Sequence, residues 1–368
     1  MTPEQQQELE QHVARIAQIL HQDAQAQGLP MSSLAEIEAT VREQMQVHVS
    51  PQIGNFFIDQ VSPPHVGAYE RSVKSILGAL KLTRAQALAL EVKPSSQISP
   101  YLEMCCLRAS ANASYREAAA EVAIMTGIKV SLKTQQRIVH RQDFSPPEGD
   151  RAVEVNQMSL DGGNIRLITP AGKPSQWRQY KALRVNGDGV GVAYYQANDQ
   201  LCQWVETLVT ATLLYCLGDG HPGIWGVYAQ MQLSSPRREI LDWYHLKENL
   251  YKVGGSLKRL QEAETLLWQG KVNEVLALFD ALNKPQAHKF CDYLRTHQDR
   301  IPNYEYYQSE GIPIGSGDVE SWVKQIDRRT QISGAQWRED HVPQVLAHRC
   351  AYLNGQLDPT SPISLSKK

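Results

Sequence analysis

The chain has 368 residues, enough for two or three domains, and its 42% hydrophobic content excludes a mainly disordered polypeptide. A formal net charge of −2 excludes a globally basic nucleic-acid binder, so any DNA surface must come from local patches. The six cysteines form no C-x-x-C motif, which disfavours a zinc ribbon or a disulfide framework and favours a reducing cytoplasm. The sequence contains no apolar run of about 18 residues, so no membrane span is predicted. The first ten residues are polar, so no signal segment is predicted.

Residues 1–50 predict a pair of helices. Residues 2–5 and 33–36 each have the sequence of a capping box, the motif that satisfies free amides at a helix start. An apolar stripe on the first helix is expected from Leu9, Val13, Ile16 and Leu20. We interpret the pair as structural, with the helices packing on each other or on a second copy of the chain.

Residues 51–100 are interrupted by five prolines and predict an irregular segment. A hairpin between Arg71 and Arg84, turning at Gly78, is the one regular element expected there. It would have a basic side formed by Lys74, Lys81 and Arg84.

Residues 101–145 predict three helices that resemble a helix-turn-helix. The first covers residues 102–111, the second follows Ser114, and the third follows Ser131 and covers residues 132–141. The third helix carries side chains of the kinds that bond to phosphates and base edges, so it is the predicted recognition helix. Its predicted DNA-binding residues are Lys133, Thr134, Gln136, Arg137 and Arg141. The alternative is a solvated, charged outer helix of a bundle.

Residues 151–244 predict the first part of an α/β core. The expected order is a strand at 153–160, a hairpin over 184–195 with its tip at 187–189, a helix at 201–209, a strand at 212–217, a helix at 222–232 and a strand at 240–243. Three strands in a meander, then helix, strand, helix, strand is the order of an RNase H-like fold. In that fold the first and fourth strands are neighbours.

The remaining residues predict a helical insertion and a return to the core. In the insertion, residues 245–305, an apolar stripe over 246–267 predicts one long helix, and two shorter helices follow. Residues 306–357 form the last part of the predicted core, with a helix opening at Gly317. Residues 358–368 predict a frayed tail.

Three acids stand where these predicted elements would bring carboxylates together. Asp161 ends the first predicted strand before two glycines, Asp219 ends the fourth strand, and Glu320 lies on the helix that opens at Gly317. Carboxylate oxygens suit Mg²⁺ (or Mn²⁺), and phosphodiester chemistry commonly uses two such ions about 4 Å apart. Taken singly, each acid is better explained by a structural role, Asp161 and Asp219 as turn residues and Glu320 as a first-turn helix acid.

Other polar residues are predicted to assist these acids. His245, in the stretch 242–245, is expected to position an acid or the DNA, although a satisfied core histidine is an alternative. Lys324 and Arg328 lie one and two turns after Glu320 on the same helix, so they are predicted to bind phosphate.

A set of ordered sequence blocks resembles the bacterial DDE transposases of the ISKra type, relatives of the Mutator-like group. The blocks are LDGG at 160–163, LGDG at 217–220, LDWYHL at 241–246, PIGSGDVES at 313–321 and GAQW at 334–337, with helix-turn-helix blocks at 114–119 and 126–131. The resemblance covers roughly residues 70–355. Relatives often carry a cysteine-rich, zinc-ribbon-like piece after the segment matching 80–85, whereas residues 86–94 contain no cysteine.

The resemblance implies a function and roles for named residues. Asp161, Asp219 and Glu320 would bind metal, and residues 242–245 would match the family's D-x-x-H element. The activity implied is magnesium-dependent DNA strand cleavage and strand transfer at terminal inverted repeats, with those repeats and target DNA as partners. A homodimer is expected because two DNA ends must be brought together. The protein is expected to be cytoplasmic and associated with the nucleoid.

Two other hypotheses belong to different classes. A catalytically inactive or domesticated DNA-binding protein would keep this fold without cutting DNA. A carboxylate-based hydrolase of a small substrate would be indifferent to DNA at all salt concentrations.

Overall fold

The computed structural model describes residues 1–65, 67–147, 153–187 and 189–358. They divide into two compact units, Met1–Arg141 and Gln142–Lys368. Among the described residues, no helix combines the length and apolar character that crossing a membrane would need.

The first unit is helical with one hairpin. Its elements are α1 (Pro3–Ala26), α2 (Leu34–Gln44), a π-helical turn (Met45–Val49) leading into α3 (Ser50–Val61), β1 (Glu70–Ser75), β2 (Gly78–Thr83), α4 (Arg84–Ala89), α5 (Pro100–Asn112), α6 (Tyr115–Thr126) and α7 (Leu132–Arg141). The predicted capping boxes at Thr2 and Ser33 are both present. The predicted hairpin is confirmed, with Ser75 paired to Gly78 at its turn. Sequence analysis missed α3 and α4 in the segment that it described as irregular.

The three helices predicted between residues 101 and 145 are confirmed as α5, α6 and α7. Ser114 forms a capping box at the start of α6, and Gly127 ends that helix in the left-handed region at φ +76°. A side chain at Gly127 would collide with the carboxamide of Gln46, which bonds to the Thr126 carbonyl at 2.6 Å. The turn before α7 is therefore held by a contact from the π-helical turn as well as by its own glycine.

The predicted DNA-binding residues of α7 differ in their solvent exposure and in their contacts with the rest of the unit. Lys133 and Arg137 are exposed, and Thr134 and Gln136 are partly exposed. Arg141 instead places Nη2 2.6 Å from Oε2 of the buried Glu103 on α5. Because this ion pair ties α7 to α5, Arg141 contributes to the packing of the unit, a role that sequence analysis did not predict.

The second unit contains a mixed five-stranded sheet. Its strands are β3 (Val155–Leu167), β4 (Gln176–Val185), β5 (Gly191–Tyr195), β6 (Thr210–Gly218) and β7 (Arg237–Leu241), with α8 (Asn198–Glu206) and α9 (Pro222–Gln230) between the last three. The strand order is β5-β4-β3-β6-β7. The meander β3-β4-β5 is antiparallel, and β6 and β7 run parallel to β3. The predicted pairing of the first and fourth strands is confirmed. The predicted hairpin tip at Asp188 lies outside the described residues.

One prediction about the first strand is wrong. Sequence analysis ended it at Asp161, but β3 continues to Leu167, with Gly162 opposite Lys181 and Gly163 opposite Tyr180. A side chain at Gly163 would overlap the Tyr180 ring, and a Cβ at Gly162 would lie 3.3 Å from Lys181 Nζ. The two glycines therefore leave room for side chains of the neighbouring strand, and they do not form a turn.

The helical insertion consists of α10 (Trp243–Lys252), α11 (Leu257–Trp268), α12 (Val272–Asp280), α13 (Pro285–His297) and α14 (Tyr304–Ser309). The single long helix predicted over 246–267 is wrong, because Gly254 and Gly255 have φ values of +67° and +95° and Ser256 caps a new helix. The apolar stripe continued across the break because both helices pack into one core, which extends from the sheet into the insertion.

The chain returns to the core with α15 (Gly317–Thr330) and α16 (Val342–Leu353). Val319, Val323 and Ile326 are spaced to share one face of α15, and this face is buried. This face packs on β3 and β4. Apart from Asp358, the predicted tail lies outside the described residues.

Candidate functional site

The first two acids lie at the same level of two neighbouring strands. The parallel pairing of β3 and β6 ends at Leu160 opposite Gly218, and the next residues are Asp161, within β3, and Asp219, directly after β6. Asp161 Oδ1 accepts a hydrogen bond from the Gly162 amide at 2.6 Å. Asp219 Oδ1 accepts one from the His221 amide at 2.8 Å. The sheet register therefore presents both carboxylates at one place along the parallel pair.

Glu320 reaches the same place from α15. The first turn of this helix is tied to the sheet, since Gln157 Nε2 lies 3.5 Å from Asp318 Oδ2 and Arg184 Nη1 lies 3.5 Å from the Asp318 carbonyl. Glu320 Oε1 lies 3.5 Å from His245 Nδ1, and Oε2 lies 3.7 Å from Lys324 Nζ. Sheet and helix together bring one carboxylate from each of three separate segments into one cluster.

The three acids and His245 interact electrostatically. Burial raises the pKa of Asp161, and the negative charges of Asp219 and Glu320 raise it further. The Gly162 amide and the His245 ring act in the opposite direction. The structure therefore brings together the three predicted metal ligands and the predicted assisting histidine. Their role as metal ligands stays a prediction.

Asp242 holds this cluster in place. Its side chain is fully buried. Oδ1 accepts the His245 amide at 2.8 Å and so caps α10, while Oδ2 accepts the Ser316 amide at 2.5 Å and the Ser316 hydroxyl at 2.8 Å. Burial alone would raise the pKa of Asp242, but these interactions with His245 and Ser316 hold it below its usual value. One carboxylate thus joins the start of α10 to the turn that opens α15.

His245 is the cation of the cluster. Its Nδ1 lies 3.4 Å from Asp242 Oδ1 and 3.5 Å from Glu320 Oε1, with no acceptor in hydrogen-bonding geometry. Interaction with Asp242 raises the pKa of His245 to about 9 against the opposing effect of burial, and Glu320 and Asp219 raise it further. The ring is therefore protonated at neutral pH and pairs with the carboxylates.

A second grouping of possible metal ligands overlaps the predicted one. Ligand atoms of Asp242, His245 and Glu320 lie within 4.8 Å of one another. Both oxygens of Asp242 already accept hydrogen bonds from the protein, and a metal ion would have to displace a proton from His245 before the imidazole could bind it. We therefore assign Asp242 and His245 to positioning and charge balance. Asp161, Asp219 and Glu320 offer hard oxygen donors of the kind that Mg²⁺ prefers, whereas among the described residues the ligand atoms found within 4.8 Å of one another are those of Asp242, His245 and Glu320.

Lys181 is a site residue that sequence analysis missed. It is half-buried on β4, opposite Gly162, and it interacts electrostatically with Asp219 and Asp161. Burial lowers its pKa and the two acids oppose that effect. Only the cross-strand register places Lys181 beside the acids, and no local pattern in the sequence indicates that register.

The two basic residues predicted after Glu320 lie on the outer side of α15. Lys324 and Arg328 are both exposed, and Lys324 makes the long ion pair with Glu320 expected of residues four apart. Asp327 points elsewhere and accepts a hydrogen bond from the Tyr180 hydroxyl at 2.8 Å. Lys324 and Arg328 therefore remain available to a ligand from solvent.

No protein-family model matches the chain, and no curated protein matches it.

Proposed function

We propose that this protein is a DDE-type DNA transposase of a bacterial insertion sequence. The observation that carries the proposal is the convergence of Asp161 and Asp219, one residue beyond paired parallel strands, with Glu320 on the helix that packs against them. A three-stranded antiparallel meander extended by two parallel strands also supports an RNase H-like core. The ordered blocks that resemble the ISKra-type transposases point to the same class.

The proposed cofactor is a pair of Mg²⁺ (or Mn²⁺) ions held by Asp161, Asp219 and Glu320. Such ions, when bound, activate the attacking oxygen and stabilise the leaving oxygen in phosphoryl transfer. The protein residues supply orientation and charge. Asp242 fixes the turn before α15 and so sets the position of Glu320, while the protonated His245 offsets part of the negative charge.

The proposed substrate is duplex DNA with terminal inverted repeats, together with target DNA. In the first unit, α7 presents Lys133, Thr134, Gln136 and Arg137 as the residues that would contact DNA. In the second unit, the exposed Lys324 and Arg328 would bind phosphates near the acids.

The function is tested with DNA taken from either side of the gene. Purified protein is incubated with end-labelled duplexes from the flanking sequence, with Mg²⁺ or with EDTA, and the products are separated on a denaturing gel. We expect strand cleavage at a defined position with Mg²⁺ and none with EDTA, because the carboxylates need metal to act on a phosphodiester.

Two other outcomes would identify the competing hypotheses. Retarded DNA without cleavage in Mg²⁺ or Mn²⁺ would support an inactive or domesticated DNA-binding protein. Absence of both binding and cleavage at low salt would reject a transposase and favour a carboxylate hydrolase of a small substrate.

A second copy of the chain is the other partner that we propose. The helix α1 has 24 residues, of which only Ala24 is buried. Leu9, Val13, Ile16 and Leu20 are spaced four, three and four residues apart, the heptad spacing by which helices pair with one another. With Ile37, Val41 and other side chains of α2 and α3, the stripe lines an apolar groove of about 530 Å³. A matching stripe from a second copy would fill this groove symmetrically.

Val13→Glu is expected to convert the dimer to a monomer, because it places a charge in the centre of the apolar stripe. Gln11→Glu adds the same charge on the opposite side of α1 and should leave the dimer intact. Sedimentation equilibrium of the two variants and the wild type measures the mass. A wild-type protein that sediments as a monomer at micromolar concentration would contradict the proposed interface.

A further inference from the structure

Lys181 is a half-buried cation whose ammonium group is not paired with a described residue. Within the described part of the chain, its Nζ donates no hydrogen bond and forms no ion pair within 4.0 Å. A Cβ at Gly162 would lie 3.3 Å from Nζ, and a Cβ at Gly223 would lie 3.5 Å from it. The ammonium group therefore lies where β3 and the start of α9 both lack a side chain.

The charges around Lys181 favour a bound anion. Asp161 and Asp219 attract its ammonium group without touching it. The helix α9 begins at Pro222, so the positive end of its dipole faces the same space. An ammonium group has three donors, and here they are open to a ligand from solvent. A phosphate oxygen would satisfy those donors.

A phosphodiester beside the acid cluster would be stabilised by such a cation in addition to any bound metal. Asp161, Asp219 and Glu320 are negative when ionised, and each would repel a DNA phosphate. His245 is paired with Asp242 and Glu320, and Lys324 is exposed beside Glu320. Lys181 approaches the acids from β4, a strand that carries none of them. It can therefore bind an oxygen of the same phosphate whose cleavage the acids would promote.

We propose that Lys181 binds a non-bridging oxygen of the DNA phosphate that lies at the acid cluster. This inference rests on the proposed function, and it adds a substrate-contacting residue that the sequence blocks do not indicate. Gly162 and Gly223 have a related role, since they keep the space around Nζ open for the phosphate.

The test compares Lys181→Met, Lys181→Arg and the control Lys173→Met. Lys173 is fully exposed in the loop between β3 and β4, so its replacement removes the same charge elsewhere in the same unit. With Mg²⁺ and the flanking duplexes, we expect Lys181→Met to cleave at least about tenfold more slowly than wild type, because it loses a charge-assisted hydrogen bond to the reacting phosphate. Lys181→Arg should recover part of the rate, and Lys173→Met should match wild type.

A second readout uses the protein without DNA. Mn²⁺ binding is measured by electron paramagnetic resonance for the same variants. Lys181→Met should bind Mn²⁺ more tightly than wild type, by a few-fold, because a cation that opposes metal binding has been removed. Lys173→Met should bind Mn²⁺ as wild type does. Thermal melting of each variant verifies folding.

The outcomes separate this inference from the proposed function. Wild-type cleavage together with unchanged cleavage by Lys181→Met would overturn the role of Lys181 alone. If Lys181→Met cleaves slowly and Lys181→Arg recovers nothing while Mn²⁺ binding is unchanged, the residue is structural and the inference is wrong. A wild-type protein that cuts no DNA would overturn both proposals.

Discussion

Asp161→Ala, Asp219→Ala and Glu320→Ala should each reduce magnesium-dependent cleavage by at least about 10³-fold, because each removes a ligand from a metal centre on which the chemistry depends. DNA binding in EDTA should be largely unchanged, since the exposed residues of α7 lie in the other unit. Rates come from the denaturing-gel assay, and binding comes from mobility shifts at fixed salt.

The control for these variants is Asp199→Ala. Asp199 is exposed on α8 in the same unit, and it is not among the charged groups that act on Asp161. Its replacement should leave cleavage within about twofold of wild type. Normal cleavage by any one of the three site variants would remove that residue from the proposed metal centre.

Thermal melting adds a measurement that does not depend on activity. Burial and like charges raise the pKa of Asp161, so its ionised form destabilises the folded protein at neutral pH. Asp161→Ala should therefore melt at or above the wild-type temperature. Glu320→Ala should not gain stability in this way, because Glu320 lies near His245 and Lys324. A metal ligand is expected to be needed for cleavage and yet to destabilise the folded protein when melting is measured without metal.

Asp242→Ala should be the most destabilising single change at the site, costing about 3–5 kcal/mol in the free energy of unfolding. The substitution removes a fully buried carboxylate and leaves the His245 amide, the Ser316 amide and the Ser316 hydroxyl without their acceptor. It also leaves the protonated His245 with one fewer negative neighbour. Urea denaturation measures the loss.

Asp340→Ala is the matched control for Asp242. Asp340 is exposed and pairs with Arg338 at 2.9 Å, and surface ion pairs of this kind contribute about 0–1 kcal/mol. The milder Asp242→Asn keeps the side-chain shape and distinguishes the two roles open to this residue. We expect it to retain Mn²⁺ binding with reduced stability. Loss of Mn²⁺ binding at unchanged stability would instead make Asp242 a ligand.

The ends of many helices could be predicted because the interactions that form them are local. Ser114 accepts from an amide three residues later, and Gly127 ends the same helix by its own backbone conformation. The parallel pairing of β3 with β6 was also predictable, since the order of strands and helices restricts the topology. Given that pairing, Asp161 and Asp219 come close together because each directly follows a residue of the last β3–β6 pair, Leu160 or Gly218.

Other features could not be predicted, because each depends on a partner far along the chain. The glycines at 162 and 163 indicate a turn until Tyr180 and Lys181 are placed opposite them. The apolar stripe after Asp242 indicates one helix, since the residues on both sides of Gly254 and Gly255 pack into the same core.

By itself the sequence determined most of the local elements, their order and the three candidate acids, because caps, apolar spacing and glycine act over a few residues. The tertiary structure alone decided what surrounds those acids. It joined Asp242 to Ser316 across 74 residues and placed Lys181 beside Asp161 through the register of two strands. The charge and shape of such a cluster come from side chains on several segments, and their mutual distances are set only when the core packs.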